Sequence, residues 1–130
     1  MFEDRKLDHI GVMCVDSEKN AKWYMEELGY KLLGKFKSSH GDYYTWFVTN
    51  GDVTYEIYQK AGMDPAIQGK VDHIALTSTD IEADYKYCVE HGFAVSTNGI
   101  EAIPSRWEHG CRYFKVVSPC GEQIEFNQNL

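Results

Sequence analysis

The chain has no run of about 18 apolar residues, the length a membrane-spanning helix needs. Its opening, Met1-Phe2-Glu3-Asp4-Arg5-Lys6, is charged from the start and lacks the apolar core of a secretory signal. A cytoplasmic location is therefore expected, with no membrane partner. Positive charge is also scarce. The 13 Lys and Arg face 20 Asp and Glu, giving a formal net charge of −7. Nucleic acid and anionic lipid call for clustered Lys and Arg, so neither is expected as a partner. A small-molecule substrate is left open. Low-complexity segments are absent. The cysteines Cys14, Cys88, Cys111 and Cys120 form no Cys-x-x-Cys pair, which removes zinc ribbons and thioredoxin-type motifs. Reduced thiols are expected, with Cys14 and Cys88 in the core and Cys120 exposed in a turn.

What the chain does contain is a repeat. Asp8-His9-Ile10 returns half a chain later as Asp72-His73-Ile74. Each copy opens a short apolar run, each run precedes a helical pattern, and each half closes on a strand with an acid in it: Tyr55-Glu56-Ile57-Tyr58 and Ile124-Glu125-Phe126-Asn127. A period this long marks a duplicated supersecondary unit. At 130 residues the chain is expected to be one domain, with a first module over about 7–59, a linker over 60–70 and a second module over about 71–128. In the first half, strands are predicted over 7–15, 30–37, 43–49 and 53–59, with a helix from 18 to 28. Asp16 or Ser17 is the expected N-cap and Gly29 the expected stop. Asn50-Gly51-Asp52 reads as a hairpin turn. In the second half, strands are predicted over 71–78, 93–96, 111–117 and 122–128, with a helix after Asp80 that presents Ile81, Tyr85, Cys88 and Val89 to the core. A loop over 97–110 is inserted. Each half thus reads β-α-β-β-β. The expected fold class is α+β, with two tandem modules forming a curved mixed sheet.

Side chains alternate along a strand. His9 faces away from Ile10 and Val12, Glu56 away from Tyr55 and Ile57, His73 away from Ile74 and Leu76, and Glu125 away from Ile124 and Phe126. The apolar neighbours belong under the helices, so all four polar residues belong on the opposite face. The sequence reading brings His9, Glu56, His73 and Glu125 together as ligands of one divalent transition metal. Two imidazoles and two carboxylates suit Zn, Ni or Co, and also Mn or Fe. Such an ion can polarise a carbonyl and stabilise an enediolate. The same parity places Met13, Thr54, Tyr58, Thr77, Gln123 and Asn127 around it, and the third strand is expected to add Tyr44 or Tyr43, with Trp46. The stretch 103–110, with Arg106 and Trp107, is a candidate lid over this mixed aromatic and polar pocket.

The two modules resemble the vicinal oxygen chelate superfamily, which includes glyoxalase I, fosfomycin-resistance enzymes, extradiol dioxygenases, methylmalonyl-CoA epimerase and bleomycin-binding proteins. The resemblance covers essentially the whole chain. It is carried by His9-Ile10-Gly11-Val12 followed by Ala21-Lys22-Trp23-Tyr24 and Leu28-Gly29-Tyr30, and by Ser118-Pro119-Cys120-Gly121 before Ile124-Glu125-Phe126. The acids of the family's Asp-Pro-Asp-Gly turn are replaced here. His9, Glu56, His73 and Glu125 match in order the four metal ligands of glyoxalase I. The resemblance implies a lyase or isomerase that moves a proton next to a metal-chelated carbonyl, with Glu125 as base and Glu56 able to share that role. It also implies a homodimer, with sites shared between chains in some members. The arginines and asparagine that hold glutathione in glyoxalase I have no convincing match among Arg5, Arg106, Arg112 and Asn50. The alternatives are another enzyme of the superfamily (epimerase, dioxygenase or fosfomycin-type transferase) and a non-catalytic protein that binds a small molecule and confers resistance.

Overall fold

The computed structural model describes residues 3–4, 7, 9–38, 41–59, 62 and 71–130. Arg5, Asp8, His40 and all of the expected linker except Gly62 lie outside the described residues. The chain divides into two compact units, Met1–Pro65 and Ala66–Leu130.

The first unit runs β1 (Ile10–Cys14), α1 (Ser17–Glu27), β2 (Lys31–Lys37), β3 (Tyr44–Thr49) and β4 (Thr54–Gln59). Its four strands form one mixed sheet in the order β1-β4-β3-β2, with β1 parallel to β4 and the other pairs antiparallel. A parallel pair needs a crossover, and α1, β2 and β3 supply it. Asp16 caps α1 by accepting from the Lys19 N–H at 3.0 Å. Gly29 follows the helix at φ 74, a conformation that costs glycine little, and the Tyr30 N–H returns to the Tyr24 carbonyl. The helix buries Ser17, Asn20, Ala21 and Tyr24. Tyr24 packs on Tyr55 at 4.9 Å and on Tyr30 at 5.4 Å between ring centroids. Aromatic rings this fully enclosed contribute about 2–3 kcal/mol each by burial alone. Tyr55 and Ile57 therefore mark the helix-covered face of the sheet. Asn50 closes the β3–β4 hairpin, its Oδ1 accepting from the Asp52 and Val53 N–H groups.

The second unit runs β5 (Ile74–Thr77), α2 (Ile81–Glu90), β6 (Ala94–Val95), β7 (Glu101–Ile103), β8 (Cys111–Val117) and β9 (Gln123–Asn129). Its sheet has the order β5-β9-β8-β6, with β5 parallel to β9 and β7 paired to β8. Asp80 caps α2 through the Ala83 N–H at 3.1 Å. Phe114 is the centre of the helix–sheet layer, in edge contact with Tyr85 of α2 and stacked on Phe126 of β9.

The β-α-β-β-β order thus recurs in both units, with the short β7 added in the second, and each unit has its own mixed sheet. Three local expectations change. The inserted loop is shorter than expected, because 101–103 form β7, and the Tyr113 hydroxyl fixes it by donating to Glu101 at 2.7 Å. Val89 is 51% exposed rather than part of the helix's apolar face. Cys120 is buried rather than exposed, because the Ser118 hydroxyl oxygen accepts from both the Cys120 and Glu122 N–H groups and folds the turn inward. The described cysteines are all free thiols.

Candidate functional site

In the first unit, β1 and β4 are in register so that Gly11 lies opposite Glu56 and Val12 opposite Ile57. Directly opposed residues share a face, so Glu56 projects on the side away from α1. His9, one residue before β1, reaches the same side, and its Nε2 stands 3.8 Å from Glu56 Oε1. Phe47 of β3 lies opposite Glu56 and meets the His9 ring edge-on at 5.4 Å between centroids. Phe36 of β2 touches Phe47 in turn. Met13, Thr54 and Tyr58 also occupy this face, as expected from their parity, and Thr54 donates to Thr49 at 2.9 Å.

Tyr44 and Trp46 do not. Trp46 opposes Ile57 and is buried on the helix-covered face, and Tyr44, two residues before it, shares that face. Lys35 lies over both rings, 4.4 Å from Tyr44 and 4.6 Å from Trp46. The aromatic residues beside the His9–Glu56 pair are Phe47 and Phe36 instead. The signal that could have found them is the alternation of β3 once its register to Glu56 is fixed.

In the second unit, Ala75 lies opposite Glu125, and β8 sets Lys115 opposite Glu125 and Tyr113 opposite Asn127. Phe114 and Phe126 face α2, so Glu125 projects on the other side. His73, just before β5, places Nε2 3.2 Å from Glu125 Oε2. The Glu125 side chain is 13% exposed, against 31% for Glu56. The other ring nitrogen of His73, Nδ1, is 2.8 Å from Asp72 Oδ2. Hydrogen bonds from His73 and then Lys115 hold the Asp72 carboxyl below its ordinary pKa. An ionised carboxylate only accepts, so the Asp72 contact favours a proton on Nδ1, and Nε2 is the atom turned toward Glu125. Thr77 and Asn127 are paired on this face. Gln123 is already engaged, its amide donating toward Asp72 and accepting from the Ser96 hydroxyl at 2.9 Å. Arg106 and Trp107 stand on the exposed turn after β7, and Trp107 is 71% exposed at φ 56.

The two units thus carry the same device, a His just before the first strand and a Glu on the last strand that runs parallel to it. Within each unit the constellation is a pair. Among the described residues no group of three or more His, Cys, Asp or Glu is placed to hold an ion. The donor chemistry fits a transition metal. Two ligand atoms each about 2.1 Å from a shared ion lie roughly 3.0 Å apart at a right angle and about 3.4 Å apart at a tetrahedral angle. The His73–Glu125 separation of 3.2 Å falls within that range, and the His9–Glu56 separation of 3.8 Å exceeds it by a few tenths of an ångström.

The duplicated β-α-β-β-β units define a class of fold, and the sequence places the chain in it. The profile of the glyoxalase/bleomycin resistance protein/dioxygenase superfamily matches residues 6–126, and the chain belongs to that superfamily. The uncharacterized protein YwbC of Bacillus subtilis (strain 168) is 31% identical over 127 residues, covering 95% of this chain and 98% of its own. Among solved structures, a glyoxalase family protein from Enterococcus faecalis shares the fold with a TM-score of 0.78 at 16% identity, over 98% of this chain and 99% of that one. A glyoxalase/bleomycin resistance protein/dioxygenase from Alicyclobacillus acidocaldarius does so with a TM-score of 0.72 at 14% identity, over 100% and 96%. This superfamily includes many enzymes. Among the described residues no helix is long and apolar enough to cross a membrane.

Proposed function

We propose that the protein is a metal-dependent lyase or isomerase of glyoxalase I type, acting on a small substrate with oxygens on adjacent carbons. The observation that carries this reading is the repeated pair, His9 with Glu56 and His73 with Glu125, each on the face its helix leaves uncovered. The four residues would hold one divalent ion, with Zn, Ni or Co best suited to the donors and Mn or Fe compatible. When bound, the ion supplies a Lewis acid that polarises the substrate carbonyl and offsets the negative charge that develops on its oxygens.

The chain's own residues do the rest. Glu125 is the more enclosed of the two carboxylates and is the base in this reading. It takes the proton from the carbon beside the carbonyl, holds it on a carboxyl oxygen and returns it to the neighbouring carbon. No net proton is exchanged and no second reactant is needed. Glu56 is the second carboxylate and shares this role when the substrate presents its other face. Phe47, Phe36, Met13 and Tyr58 give the first unit's face an apolar lining, suited to the carbon skeleton of the substrate. Asn127 and Tyr113 give the second unit's face polar groups suited to its oxygens.

The test is metal content by mass spectrometry, on protein purified without a metal-binding tag, beside His73→Ala and Glu125→Gln. About one ion per chain in the wild type, lost in His73→Ala, is expected. Glu125→Gln should lower turnover of an α-oxygenated aldehyde, with and without an added thiol, by about 10²–10⁴-fold. A wild type that neither carries nor takes up metal would overturn the reading.

A further inference from the structure

His73 lies before β5 begins, so the strand ladder does not fix its ring, and its side chain is 34% exposed. Something else must aim Nε2 at Glu125. We propose that Asp72 is that positioning residue: it holds His73 through Nδ1, and the strands that carry Glu125 hold Asp72. Asp72 Oδ2 accepts from His73 Nδ1 at 2.8 Å and from Lys115 Nζ at 3.2 Å. The Gln123 amide Nε2 lies 3.4 Å from Asp72 Oδ1 and 3.3 Å from the Asp72 carbonyl. The Ser96 hydroxyl donates to Gln123 Oε1 at 2.9 Å and fixes the amide's orientation. Lys115 is the residue opposite Glu125 on β8, and Gln123 precedes Glu125 by two positions on β9, so it shares Glu125's face. The two anchors of Asp72 therefore flank Glu125 itself, and any shift of the acid's strand carries the histidine with it.

This arrangement does two things for a metal ligand. It selects the tautomer, because a carboxylate on Nδ1 leaves the Nε2 lone pair free to bind. It also fixes the ring plane, which raises affinity by reducing the freedom lost on binding. In the first unit His9 rests edge-on against Phe47.

The inference rests on the metal-centre reading above, and its test separates the two. Cobalt(II) alone is the probe, with its dissociation constant read by calorimetry on metal-free protein. Wild type, Asp72→Ala, Asp72→Asn, Lys115→Met and His73→Ala are compared, and the imidazole tautomer of His73 is read by long-range proton–nitrogen NMR before metal is added. Asp72→Ala is expected to weaken cobalt binding by about 10- to 100-fold. It should also move His73 toward the Nε2–H tautomer while leaving the melting temperature within a few degrees. Asp72→Asn should lie between, because its Oδ1 still accepts from Nδ1–H, and it keeps the test valid if the alanine variant folds poorly. Lys115→Met should weaken binding less than Asp72→Ala, since it removes only an anchor of Asp72. Wild-type affinity and an unchanged tautomer in Asp72→Ala would overturn the positioning role and leave the metal centre standing. Cobalt binding absent from wild type and His73→Ala alike would overturn the metal centre itself.

Discussion

Gly11 stands between His9 and Met13 on the face of the candidate ligands. A Cβ at this position would meet Tyr58 Cε1 at 3.6 Å and Glu56 Oε1 at 3.7 Å. Those are ordinary contact distances, so a methyl group fits, whereas anything longer grows into the carboxylate. Gly11→Ala is therefore expected to keep the melting temperature and reduce kcat/KM only a few-fold. Gly11→Leu should push Glu56 off its position, and a displacement near 1 Å can cost about 10²-fold in rate. Melting curves alongside kcat/KM for the two variants check this, and loss of folding in Gly11→Ala would show that the space is not there. The four ligand candidates were legible as residues because they recur, and because each is a polar residue set by alternation on the face away from its apolar neighbours. Asp72 stood in the same repeated motif, but its role depends on Lys115 and Gln123. Those contacts span 43 and 51 positions of sequence, and no local pattern announces them.

At the scale of elements, each helix covers its sheet over a weak acid held away from water. Tyr30 follows α1 beneath Tyr24 and Tyr55, and burial pushes its hydroxyl up to about 12. Cys88 of α2 is pushed up to about 11, by burial first and by the nearby Asp84 charge second. Both groups stay neutral in the folded protein at pH values where the unfolded chain has already lost the proton. The folded state then binds more protons, so stability falls as pH rises. The loss begins near pH 9, where an unfolded cysteine ionises, steepens near pH 10 with tyrosine and levels off above about pH 12. Each group accounts for up to roughly 3 kcal/mol of it. Urea unfolding at pH 8 and pH 10.5 should show the drop, and Tyr30→Phe should flatten its upper part. The order of these elements, β7 apart, was readable from caps, glycines and alternation. The facing of β3 was not, because Tyr44, Trp46 and Phe47 give both of its faces aromatic residues. Only the pairing of Phe47 with Glu56 shows which ring faces the candidate ligands, and a bulge at Leu32–Gly34 in β2 breaks the alternation that would have confirmed it. Turn residues are ordinarily exposed, but the Ser118 side chain satisfies the backbone N–H groups of this turn and lets Cys120 pack inside.

For the whole molecule, duplication leaves two His–Glu pairs, and a pair of ligands would hold a transition metal less firmly than four. Each centre in the proposed reading therefore needs one pair of each kind. We propose that a homodimer, as the family resemblance implies, would meet that need, with the His9–Glu56 pair of one chain and the His73–Glu125 pair of another serving the same ion. Two variants test this arrangement: one with His9→Ala and Glu56→Gln, the other with His73→Ala and Glu125→Gln. Alone, each destroys every centre. Unfolded together and refolded as a mixture, random pairing makes half of the dimers hybrid, and each hybrid has one intact centre and one with no ligands. Metal content and turnover should then return to about a quarter of the wild-type value. Recovery should be absent when the two variants are mixed without unfolding, since intact dimers exchange chains slowly. A refolded mixture that stays inactive, while refolded wild type regains its activity, would assign both pairs of a centre to a single chain.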